Sequence, residues 1–216
     1  MSEVLQFYLS VAANTIVFVV TIGIVVGYFT NKNEEGHAVG TRSLRYYTTL
    51  SNVFSALVCG AFLFVELKNC TLCGVPFPHW LIVLKYISTA TVTCTMLTVL
   101  FFLGPTQGYG VMLGGTSLFT HLIGPLLAIL SFMLLENFDS ISIKEAALGL
   151  IPTIIYSAVY LSQVIIFQEK DREGKVIKGW EDFYGFNRGG RWYVSLVVMN
   201  ILYFGLLLVL RLIYNR

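Results

Sequence analysis

Residues 5–30 run without a single charged side chain, and a stretch of that length and character fits one environment above all. A bilayer's hydrocarbon core of about 30 Å is crossed by about 20 apolar residues in helical form. Five further apolar runs follow, at 46–65, 79–103, 113–135, 146–167 and 192–211, each long enough to span with some tilt. Turn-rich polar stretches separate them. The flank Met1-Ser2-Glu3-Val4 lacks the basic segment of a secretion signal, so the first run is expected to stay as a helix. The expected fold is an all-α integral membrane protein: a single domain over residues 1–216, built as one bundle of six transmembrane helices with short loops.

Composition narrows the classes further. Apolar residues make up 56% of the chain and charged residues 12%, against roughly 45–50% and about 25% in soluble domains. With a mean hydropathy of +0.75, a disordered chain, a coiled coil and almost any soluble globular domain are excluded. The net charge of +2 leaves no electrostatic footprint for nucleic acid.

Six spans put both termini on one side. Loops one, three and five carry Lys32, Arg42, Arg45, Lys170, Arg172, Lys175, Lys178, Arg188 and Arg191, whereas the opposite side carries only Lys68, Lys85, Lys144, Arg211 and Arg216. By the positive-inside bias the odd loops are expected in the cytoplasm and both termini outside. Cys70 and Cys73 form a Cys-x-x-Cys on the expected outer face, read as a local disulfide or free thiols rather than half of a zinc site. Cys59 and Cys94 read as small core residues. No cofactor and no metal are expected.

Polar residues within the spans form stripes. Thr48, Ser51, Asn52 and Ser55 follow one another on one face of the second helix. On the fourth, Ser117, Thr120, His121 and Gly124 share a face ahead of Pro125, which removes a backbone donor and is expected to kink the helix. The third helix offers Ser88, Thr91, Thr95 and Thr98, the fifth Tyr156, Tyr160 and Gln163, and the sixth Asn200 and Tyr203. Such residues line a polar cavity or, individually, bond their own preceding turn. Gly23 and Gly27 read as a close-packing face.

His121 reads as the only ionisable group too deep to snorkel, because Glu66, Lys85 and Arg211 lie near span ends and can reach the interface. It is either a general base or a structural histidine. With helix starts near Ser43 and Leu113, Thr48 lies ~7 Å deep and His121 ~12 Å deep from the same side, close enough in depth to form an activated oxygen nucleophile. Thr49 adjoins Thr48 and is the alternative nucleophile. No Asp or Glu lies mid-span, which speaks against ion-coupled transport, and no soluble-hydrolase or nucleotide-binding motif is present.

The run Tyr46-Tyr47-Thr48-Thr49-Leu50-Ser51-Asn52, His121 four residues before Pro125, and Trp180-Glu181-Asp182-Phe183-Tyr184-Gly185-Phe186-Asn187 together resemble the androgen-induced and androgen-dependent membrane protein family and its bacterial six-span relatives. Eukaryotic members of that family are intramembrane threonine hydrolases acting on fatty acid esters of hydroxy fatty acids. The resemblance implies Thr48 as nucleophile, His121 as its base, membrane lipids or fatty acyl esters as substrate, and a bacterial plasma membrane as location. Ser51 or Asn52 would then donate to the oxyanion or orient the pair, with Ser55, Ser117, Thr120, Tyr156 and Asn200 lining the cavity. The aromatic residues Trp180, Phe183, Tyr184 and Phe186 read as an interfacial anchor, or alternatively as a lid. A lipid acyltransferase using the same pair, and a non-enzymatic small-molecule or lipid-binding protein such as a transporter's substrate-capturing subunit, are the competing expectations.

Overall fold

Apolar length becomes helix length in the computed structural model, which describes residues 2–31, 40–72, 77–136 and 138–216, with the backbone alone for 69–72. The six spans are α1 (Glu3–Thr30), α2 (Tyr47–Leu72), α3 (His79–Gln107), α4 (Thr116–Leu135), α5 (Ile143–Ile166) and α6 (Trp192–Tyr214). Cys73 and the side chain of Cys70 lie outside the described residues.

Several ends differ from expectation for local reasons. Helix α2 continues past Val65 through Glu66-Leu67-Lys68, because a charged residue marks a change of solvent and does not stop a helix. Helix α4 starts three residues late, since Gly115 adopts φ 54° just ahead of it, a backbone region that suits glycine. Helix α5 starts early because Ser142 and Glu145 form a reciprocal capping box.

The bundle is apolar on its outside, unlike a soluble protein, and its interior mixes an apolar core around Phe62, Leu81, Tyr86 and Phe132 with many polar side chains. Phe101, Ile166, Ile201 and Leu202 are exposed, while Ser10, Asn14, Thr21, Ser55, Ser88, Thr89 and Thr91 are buried. Helix α3 is the most enclosed and touches α2, α4, α5 and α6, whereas α1 packs on α2 and α4. Much of the polar character of α3 is spent locally, as the bland reading of its hydroxyls anticipates. Ser88, Thr91 and Thr95 donate to the carbonyls of Lys85, Ser88 and Thr91.

Two Gly-Pro pairs leave a common mark. A π-turn at Val99–Leu103 precedes Gly104-Pro105, and another at Phe119–Ile123 precedes Gly124-Pro125. A helical proline lacks an amide and crowds the carbonyl four residues back, and a single widened turn accommodates both. The expected irregularity at Pro125 is thus a π-turn, and it contains His121.

The glycine face of α1 needs correction. A methyl group at Gly23 would meet nothing within 4 Å, whereas one at Gly60 of α2 would stand 3.0 Å from the Phe18 ring. Close approach of α1 to α2 therefore uses the glycine on α2. After α5, residues Glu169–Lys170 and Val176–Lys178 pair as a short antiparallel ribbon, and the chain then folds back over the end of the bundle.

Candidate functional site

At the end of the bundle where α2 begins, a cavity lies between α2, α3, α5 and α6. Tyr47, Thr48, Cys94, Thr95, Thr98, Thr153, Tyr156 and Ser157 line it, and Val99, Phe102, Leu103 and Met199 form its apolar wall. Its volume is about 70 Å³, room for roughly two or three waters. Phe102 is 53% exposed and forms the outer edge of the cavity.

The aromatic loop closes this cavity. Tyr184 and Phe186 are part of its lining, and Tyr184 accepts a hydrogen bond from the Tyr47 amide at 3.1 Å, satisfying a free donor at the start of α2. Asp182 holds the loop's shape: one oxygen accepts from the Tyr160 hydroxyl and the Phe186 amide, both at 2.9 Å, and the other from the Asn187 amide at 2.8 Å. The rings of Phe183, Tyr184 and Phe186 pack around Tyr160. These side chains face the protein, so the loop is built as a cap, where the sequence had favoured an interfacial anchor. Burial pushes the Tyr184 phenol up to about 12, keeping it neutral.

Thr48 stands in the cavity wall beside the Tyr184 phenol, and its neighbour Thr49 is buried elsewhere. Because α2 begins at Tyr47 and α4 at Thr116, Thr48 and His121 lie ~2 Å and ~8 Å along their helices, shallower than expected. Their side chains are not hydrogen-bonded to each other, and His121 does not line the cavity. The two segments are nevertheless tied. The Asn52 amide donates to the Thr48 carbonyl at 2.8 Å and to the Thr120 carbonyl at 2.9 Å, clamping the start of α2 to the residue before His121. Ser51 also donates to the Thr48 carbonyl and shares a 2.9 Å hydroxyl contact with Thr95.

The imidazole of His121 has a defined tautomer. Its Nδ1 lies 2.5 Å from the Met112 carbonyl, and a carbonyl only accepts. The proton is therefore on Nδ1, and in the neutral ring Nε2 is left as the basic nitrogen.

The remaining expected lining residues divide. Tyr156 lines the cavity and donates to the Arg45 carbonyl at 2.8 Å. Ser55 is buried, with its hydroxyl beside the Cys59 thiol. Thr120 points back toward the Ser117 carbonyl, and Asn200 donates to the Leu196 carbonyl. None of these four, Ser55, Ser117, Thr120 and Asn200, belongs to the cavity wall.

At the opposite end is a group of ionisable residues, two of which, Glu66 and Lys85, the sequence places within reach of the interface. Lys85 and Glu136 are fully buried and Glu66 is 3% exposed. The Lys85 ammonium donates to Asn14 Oδ1, meets Cys59 Sγ at 3.2 Å and lies 3.4 Å from Glu136 Oε1. Asn14 donates to Glu136 Oε1 at 2.8 Å, and Ser10 and Ser131 contact the same oxygen. Ser10 is also hydrogen-bonded to Glu66 Oε1. Neither Lys85 nor Glu66 reaches the interface, because neighbouring helices enclose them. A partial signal existed: Ser10, Asn14, Val17 and Thr21 recur on one face of α1 at helical spacing.

The fold thus defines a six-helix, multi-pass membrane protein with a capped cavity at one end and a buried charged cluster at the other. Among known proteins, no family model, curated sequence or solved structure matches the chain.

Proposed function

We propose that the protein is an intramembrane lipid ester hydrolase acting on a fatty acyl ester, with Thr48 as nucleophile and His121 as general base. The observation that carries this reading is the Asn52 clamp, which holds the start of α2, where Thr48 faces an apolar-walled cavity, against the residue preceding His121. The Met112 carbonyl supports it by fixing Nε2 of His121 as the acceptor, the orienting role that a third group takes beside a nucleophile and base. In the reaction Nε2 takes the Thr48 proton, and the oxygen bonds to the ester carbonyl. The alcohol leaves with that proton, and water then releases the acid. The cavity admits only the reacting end, so the acyl chain would lie past Phe102 in the bilayer. The proposed location is a bacterial plasma membrane with both termini outside.

Intact mass after exposure to a lipophilic fluorophosphonate tests this. One adduct is expected on the wild type and on Thr49→Ala, and none on Thr48→Ala or His121→Ala. An adduct that persists in Thr48→Ala would overturn the assignment.

The small volume of the cavity favours one second reading, a membrane protein that binds a small apolar molecule without turning it over. That reading expects no adduct on any variant and a ligand that copurifies.

A further inference from the structure

The charged cluster of α1, α2, α3 and the end of α4 has no part in ester hydrolysis. Thr98 at the cavity and Lys85 in the cluster lie ~20 Å apart along α3. The cluster's geometry contains a proton count. Ser10 Oγ is within hydrogen-bond reach of two carboxylate oxygens, Glu66 Oε1 and Glu136 Oε1, the latter at 3.1 Å. A serine hydroxyl has one hydrogen to donate. One hydrogen shared between two ionised carboxylates bonds each weakly, whereas both contacts are full hydrogen bonds when one carboxyl carries a proton and donates it to the serine oxygen.

The surroundings decide which one. Glu136 Oε1 receives Asn14 Nδ2 and Ser131 and faces the Lys85 ammonium, so donors already converge on it. Glu66 has Ser10 and a long 3.4 Å contact from Asn14 Nδ2 to Oε2. Charge balance points the same way. One ammonium with two carboxylates gives a net negative charge in a fully enclosed site, and a buried unbalanced charge is strongly disfavoured. Among the described residues, the other titratable groups facing the cluster are the Cys59 thiol, which meets Lys85, and the Tyr214 phenol, which donates to the Glu136 carbonyl at 3.0 Å.

We infer that this cluster is an intramembrane proton-binding site, in which Glu66 holds one proton and Ser10 links it to Glu136. Transfer balances without any co-reactant. The Glu66 O–H bond breaks as the serine oxygen takes its proton, and the serine's own hydrogen bonds to Glu136. The charge moves from Glu136 to Glu66 while Lys85 stays an ammonium. Glu136 Oε2 is buried without a partner among the described residues, an open acceptor on the same carboxyl. The inference gives the chain a protonatable element of the kind that proton relays in membrane proteins use, independent of the ester-hydrolase reading.

Infrared spectroscopy of the full chain in lipid nanodiscs at neutral pH tests it, since a protonated carboxyl absorbs apart from a carboxylate and shifts in heavy water. The wild type is expected to have one such band. Glu66→Gln, which keeps the neutral shape, is expected to fold and to lose the band. Ser10→Ala is expected to keep its intensity at a shifted frequency, because the proton remains while its acceptor is gone. Absence of the band from the wild type, or its persistence in Glu66→Gln, would overturn the inference. So would failure of Glu66→Gln to fold alongside a folded Ser10→Ala that lacks the band.

Discussion

The ammonium of Lys85 and the carboxylate of Glu136 stand 3.4 Å apart with side-chain exposures of 1% and 0%, joined through the amide of Asn14. Residues separated by much of the chain thereby share one enclosed site on three helices. Removing one partner from a buried pair leaves the other charge uncompensated, at a cost of about 3–5 kcal/mol. Glu136→Ala should therefore lower the melting temperature in detergent sharply, and adding Lys85→Met should restore part of it. A single variant that melts like the wild type would show that Lys85 finds water or that Glu66 gives up its proton to balance it.

The cap over the cavity depends on Asp182. Its carboxylate accepts one phenol and two amides, and hydrogen bonds to a charged group contribute about 1.5–3 kcal/mol each where they are buried. Asp182→Ala should release residues 180–187 from Tyr160 and make that loop the first site of limited proteolysis. Asp182→Asn, which keeps an acceptor, should be cut more slowly. Equal cleavage of wild type and Asp182→Ala would count against the cap.

Lateral access at Phe102 predicts a gain. The ring lines the cavity while more than half exposed, so Phe102→Ala should widen the mouth at little cost in stability. Fluorophosphonate labelling of Thr48 should then accelerate by roughly tenfold, about 1.4 kcal/mol off the barrier. An unchanged or slower rate would mean that the probe enters elsewhere.

The turn that ends α3 tolerates no side chain at Gly104. A methyl group there would lie 2.2 Å from the Tyr109 ring and 2.8 Å from the Val99 carbonyl, and Tyr109 is itself tied to the Leu100 carbonyl at 2.7 Å. Gly104→Ala should destabilise the protein by about 1–3 kcal/mol, as overpacking does. Gly23→Ala, which meets open space, is the control and should melt like the wild type in the same thermal scan.

Much of the architecture was legible in advance, and so was one part of the site. The stripe Thr48, Ser51, Asn52 and Ser55 does face the protein, since helical spacing alone sets which residues share a face. What Ser51 and Asn52 do there was not legible. Both are engaged with the Thr48 carbonyl, because a side chain on a helix competes for the nearest backbone acceptor as well as for a ligand. The tautomer of His121 depends on Met112, a residue outside α4 that ends the short helical turn Tyr109–Met112 ahead of it.

The number of spans, their order and their apolar outer faces were determined by the sequence alone, because a slab of hydrocarbon imposes a length and excludes charge whatever the neighbours are. The fate of Glu66 and Lys85 was decided only by the tertiary structure. Read along their own helices, both sit close enough to an end to reach water. Once α1 sets Ser10 and Asn14 beside them and the end of α4 brings Glu136, they are walled in. Snorkelling is a property of the space around a side chain, and that space is made by other helices.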